Sequence, residues 1–151
     1  MKKILFGLIA TILISINSNA QKIGVNQEDK YIITDDLSFL KEKWNQILKD
    51  QKINDQINNF KIESGEYDDG DKKIKYYAII GTTLNSNLQM AEVIELTQNG
   101  EFYYNKLLAD SGHTVSCSGC MAGCSPKKMK FGWVCTAGCE ACSKTETVSG
   151  R

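Results

Sequence analysis

Residues 73–83 read KIKYYAIIGTT, and this stretch decides the fold. Ile74, Tyr76, Ala78 and Ile80 share one face of a strand, and Tyr77 and Ile79 lie on the other, because successive strand side chains point to opposite sides. Apolar residues on both faces place this strand centrally, partly covered on each side. Upstream, Asp68-Asp69-Gly70-Asp71 is a turn, and Phe60 and Ile62 alternate with polar neighbours. Downstream, Asn85-Ser86-Asn87 turns the chain into a strand from Leu88 to Thr97. Asn99-Gly100 separates that strand from Phe102-Tyr103-Tyr104. Asn-Gly between apolar runs is a strong hairpin signal, since both residues accept positive φ. The region reads as a four-stranded antiparallel meander.

One helix precedes it. Leu37, Leu40, Trp44, Ile47 and Leu48 recur at offsets of three and four and share a face. Thr34, Asp35 or Asp36 can cap its start, and its end falls between Lys49 and Asn58. A sheet with an apolar face needs a cover, and the helix supplies one. Residues 21–33 carry only a weak strand signal around Tyr31-Ile32-Ile33. The expected fold is α+β: one helix packed on a four-stranded antiparallel meander, followed by a small cysteine-rich C-terminal module. The order resembles cystatin-like folds in layout alone. Their inhibitory loop motif is absent, so the resemblance implies no function.

The N-terminus reads as an export signal spanning residues 1–20. Lys2 and Lys3 precede an uncharged aliphatic run from Ile4 to Ile16, and Ser18 and Ala20 supply the small residues of a cleavage site. The run is shorter than the roughly 20 residues a bilayer span needs. This predicts a secreted or periplasmic protein that meets the membrane only through its signal peptide.

The remainder divides at Ala109-Asp110-Ser111-Gly112 into an α+β domain, residues 21–110, and a cysteine-rich module, residues 111–151. The first part has no cysteine and sets 11 lysines against 16 acidic groups, a net of −5. The second has all six cysteines and a net of +3. Over the whole chain 18 basic residues balance 18 acidic ones, so no global charge recruits nucleic acid. The acidic turn at residues 68–71 does not fit a calcium loop, because position twelve counted from Asp68 is Ile79. His113 is the only imidazole, and no hydrolase or phosphate-loop motif occurs.

The cysteines are spaced as a mirror: Cys117, Cys120 and Cys124 on one arm, Cys135, Cys139 and Cys142 on the other. The mirror suggests an antiparallel hairpin folded about Met129-Lys130. Nested pairing, Cys117–Cys142, Cys120–Cys139 and Cys124–Cys135, is one geometric candidate among 15. Structural disulfides are the leading reading, since an exported segment this small lacks a core of its own. Zinc is the alternative cofactor, held by Cys117, Cys120, Cys139 and Cys142 at ribbon spacing. A thiol oxidoreductase using the CxxC pairs ranks lower, as the surroundings give no helix N-terminus to lower a thiol pKa. An iron–sulfur cluster ranks last, because the cysteine spacing departs from the ferredoxin run.

Lys127, Lys128 and Lys130 cluster beside Phe131 and Trp133 between the arms. A solvated turn with one buried Trp is the plainer reading. As a contact surface, Lys127, Lys128, Lys130 and Trp133 would meet an anionic or protein partner. The sequence reads as an exported, non-enzymatic binding protein with no catalytic residue and no resident cofactor. A precursor releasing a cationic cysteine-rich peptide is the second reading.

Overall fold

A computed structural model describes residues 20–105, 113–136 and 141–148. The export signal read in residues 1–20 therefore lies outside the described residues except for Ala20. The proposed boundary at 109–112 also lies outside them.

The element order is β1 (Ala20–Gln27), β2 (Lys30–Ile33), α1 (Ser38–Asp50), β3 (Ile57–Asp69), β4 (Lys72–Thr83), β5 (Gln89–Leu96), β6 (Glu101–Asn105), β7 (His113–Ser118), β8 (Ser125–Met129), β9 (Gly132–Thr136) and β10 (Ser143–Val148). The meander β3–β4–β5–β6 is present, but the expected α+β fold is not. The chain is mostly β, with a curled antiparallel sheet of eight strands and a separate two-stranded hairpin, β8–β9. β1 and β2 extend the meander beyond β6, and β7 and β10 extend it beyond β5. The cysteine-bearing segment therefore contributes strands to the main sheet.

The larger sheet has a physical cause. AQKIGVNQ in β1 has no period-two pattern, yet it pairs with β6 from Ala20↔Asn105 to Val25↔Glu101, with a bulge that buries Ile23. An edge strand such as β6 exposes a row of unpaired backbone groups, and tertiary pairing overrides weak local preference.

β5 divides its second edge between two partners. Gln89 to Ala91 pair with β7, and Glu95 and Leu96 pair with β6. The strands part around Glu92. On the first edge β4 pairs with β5 from Tyr77↔Ile94 to Thr82↔Gln89, and with β3 along its whole length.

Both faces of β4 are covered. On one face α1 buries Leu40, Trp44, Ile47 and Leu48 against Ile79, Met90, Ile94, Phe102 and their neighbours. Leu37, the fifth residue of the expected stripe, is buried too. Asp36 Oδ1 accepts hydrogen bonds from the N–H and hydroxyl of Ser38, so of the three capping candidates Asp36 alone bonds to the helix start, from one residue outside the Leu37 cap. The Trp44 ring lies over Gly81 so closely that a Cβ there would stand 2.5 Å from it. On the opposite face Ala78, Ile80, Ala91 and Val115 form a second core with Cys117, Cys120, Cys124 and Trp133.

The turns follow residue chemistry. Gly70 at φ 64° opens the two-residue link between Asp69 and Lys72. At Asn99-Gly100 only the glycine takes positive φ, at 76°. Its N–H donates to Thr97 O at 3.0 Å, and Thr97 N–H reaches Glu101 O at 2.9 Å. Thr97 thus lies opposite Glu101, and the loop is the three residues 98–100 closed by a left-handed glycine, not a turn with positive φ at both Asn99 and Gly100.

Candidate functional site

β8 and β9 pair from Ser125↔Thr136 to Met129↔Gly132, with Lys130-Phe131 as the turn. β7 and β10 pair from Ser118↔Ser143 to His113↔Val148. Both ladders share one centre, two residues away in summed register from the cysteine mirror. Cysteines therefore do not oppose cysteines: Cys117 faces Lys144 and Cys135 faces Pro126. The disulfides join Cys117 to Cys135 and Cys124 to Cys142. These pairs replace the nested candidate at both positions. The first bond runs from β7 in the sheet to β9 in the hairpin, so it staples one layer to the other.

Cys120 is also disulfide-bonded, and its Sγ lies 3.7 Å from that of Cys142. Cys139 lies outside the described residues. Of the four thiols in the zinc alternative, Cys117 and Cys142 are engaged in the disulfides above. The sulfurs of Cys120, Cys124 and Cys142 gather within 4.8 Å of one another. Disulfides persist in oxidising compartments. No described helix is long and apolar enough to cross a membrane.

Side chains of the sheet secure the hairpin's free backbone edges. Lys128 N–H donates to Tyr76 Oη at 3.1 Å. Trp133 N–H donates to Glu146 Oε1 at 3.2 Å, and Lys144 Nζ donates to Trp133 O at 2.8 Å. Lys144 and Glu146 are themselves paired at 3.0 Å, and together they act on β9 as a neighbouring strand would. The Lys144 ammonium heads the influences that hold the Glu146 carboxyl below its ordinary range.

The four residues expected at a contact surface divide. Trp133 is buried against Tyr76, with ring centroids 6.2 Å apart, and Lys128 is buried as well. Lys127 points outward, and Lys130 pairs with Asp69 at 2.5 Å. Three apolar residues join them on the outer side and tip: Met129, Val134 and Phe131, the last 90% exposed. Lys130 Nζ sits 5.1 Å from the Phe131 ring centroid. Period-two alternation along PKKMKFGWV separates buried Lys128 and Trp133 from exposed Lys127, Met129 and Val134, but only once the strand bounds are known.

Sequence reasoning missed Glu92, which is fully buried where β5 leaves β7 for β6. Its Oε1 accepts from Lys43 Nζ at 2.7 Å, from Trp44 Nε1 at 2.8 Å and from the Thr114 hydroxyl. Its Oε2 accepts from Tyr104 Oη at 2.7 Å. Burial, with the neighbouring carboxylate, pushes the Tyr104 phenol far above its ordinary value. The cluster ties α1, β5, β6 and β7 together. A signal was available: alternation in QMAEVIEL puts Glu92 between Met90 and Ile94 on the helix-facing side. His113 starts β7 opposite Val148.

Asp55 performs a similar service outside the core. It accepts from the N–H groups of Gln56, Asn85 and Ser86 and from the Ser86 hydroxyl, locking the β4–β5 turn to the segment after α1. Desolvation opposes its ionisation, but these donors prevail and hold the carboxyl well below the usual range.

Comparison with known proteins finds no matching family model, no matching curated protein and no matching solved structure.

Proposed function

We propose that this chain is an exported, non-enzymatic binding protein whose contact surface is the tip and outer side of hairpin β8–β9. The observation that carries the reading is the exposure of Phe131, Met129 and Val134 beside Lys127 and Lys130, on a hairpin braced through Lys128 and Trp133. Clustered exposed apolar residues rimmed by charge mark interaction sites. A stapled hairpin loses little conformational freedom on binding, which favours affinity. The disulfides and the N-terminal sequence support export. The buried carboxylate at Glu92 is saturated with donors inside the core, which supports a structural role for this charged cluster. Hydrogen bonding of β7 to both β5 and β10 weighs against release of the tail as a peptide.

The test places a photo-crosslinking residue at Phe131 and, as a control, at exposed Lys61 on β3, in protein recovered from the periplasm or medium. The expected result is a discrete adduct from position 131, suppressed by excess unlabelled protein and not by Phe131→Ser protein. Equal, non-competable labelling from both positions would overturn the reading. Intact mass of the recovered protein checks removal of residues 1–20.

A further inference from the structure

The curled sheet protects most of its edges. β2 and β3, which end two of its arms, lie beside each other, where Tyr31 Oη donates to Ser64 Oγ at 3.0 Å. The hairpin's edges are capped by Tyr76, Lys144 and Glu146. β10 is different. β7 pairs with one of its edges, and no described strand pairs with the other. It reads SKTETV, contains no proline, and is exposed at every residue but Thr147. An open edge of this kind is a template for another strand.

We propose that β10 pairs antiparallel with β10 of a second copy of this chain, in the register centred on Thr145. Charge selects both the occupant and the register. A two-fold axis through Thr145 sets Lys144 of each copy opposite Glu146 of the other. It also sets Thr145 opposite Thr145 and Ser143 opposite Thr147. Opposite charges and hydroxyl pairs are favourable cross-strand neighbours. Registers centred on Lys144 or on Glu146 place like charges face to face. The two side chains retain 43% and 29% exposure, so each can reach across while still bracing Trp133. Such an interface is isologous and closes at two copies. Two paired strands of six residues bury less surface than a permanent interface, so the dimer is weak and concentration-dependent. It uses a different set of residues from the hairpin tip and stands independently of it.

Sedimentation velocity over a wide concentration range tests the proposal. The wild-type protein shifts from monomer toward dimer as concentration rises. Lys144→Glu protein and Glu146→Lys protein each sediment as monomer, with dissociation constants raised roughly tenfold or more, because two attractive pairs become repulsive. Mixed together they form a heterodimer, since each supplies the charges the other lacks. Near-UV circular dichroism checks that both variants stay folded. A readout on the unaltered protein runs alongside: carbodiimide treatment of a mixture of ordinary and nitrogen-15-labelled chains links Lys144 to Glu146 in mixed-isotope peptides. Concentration-independent monomer, unimpaired dimers from both charge reversals, or absence of the mixed-isotope link would each overturn the proposal.

Discussion

Glu92 and Lys43 form the energetic joint between helix and sheet, and a double-mutant cycle measures it. Replacing Lys43 with Met keeps the stem's packing and removes the ammonium 2.7 Å from Glu92 Oε1. The carboxylate, fully buried, then keeps only the neutral donors Trp44, Tyr104 and Thr114. Breaking one partner of a buried pair costs roughly 3–5 kcal/mol. The Lys43 side chain is 26% exposed, so screening reduces this, and the expected loss is about 2–3 kcal/mol. Glu92→Gln keeps one acceptor but turns an amide N–H₂ toward a site built of donors. Its expected loss is also about 2–3 kcal/mol, from weakened charge-assisted hydrogen bonds. Because both changes remove the same interaction, the double variant loses less than the sum by at least about 1 kcal/mol. Urea unfolding at neutral pH, followed by Trp fluorescence, gives all three values. Additivity within about 0.5 kcal/mol, the range seen for uncoupled sites, would refute the assignment of this pair as a coupled joint.

Three further outcomes are expected. Gly81→Ala brings a methyl to 2.5 Å from the Trp44 ring and destabilises by roughly 1–3 kcal/mol, with a changed near-UV spectrum; an unchanged melting temperature would contradict the packing described. Asp55, whose folded carboxyl lies below its unfolded value, contributes stability that is intact above about pH 4 and is lost as pH falls toward the folded value. Acid titration of Asp55→Asn protein should therefore show a flatter stability profile below that pH than wild type. Non-reducing peptide mapping should recover Cys117 linked to Cys135 and Cys124 linked to Cys142, and removing the first pair by Ser substitution should cost about 2–4 kcal/mol in denaturant midpoint experiments; a Cys124–Cys135 peptide would contradict the layered staple.

Much was legible where residues carry local or periodic signals. The stripe Leu37, Leu40, Trp44, Ile47 and Leu48 is buried as its spacing implies. The two-faced strand at residues 73–83 does lie between neighbours on both edges, with a core on each side. Trp133 is buried, as the plainer reading of the lysine-rich turn expects, but so is Lys128, which that reading leaves in solvent. The chain does reverse between the two cysteine groups, but about Lys130-Phe131 and not Met129-Lys130, and the strands on either side divide between two sheets.

What sequence could not decide were matters of long-range pairing. β1 has no pattern of its own and becomes a strand because β6 needs a partner. The cysteine mirror is not the pairing rule, because β7 and β9 join different sheets and the Cys117–Cys135 bond runs between those layers and not across one ladder. Likewise Lys128 and Lys127 are adjacent identical residues, one buried under the sheet and one facing solvent. Their chemistry is the same, and only the face each takes once β8 is seated on Tyr76 distinguishes a buried residue from an exposed one.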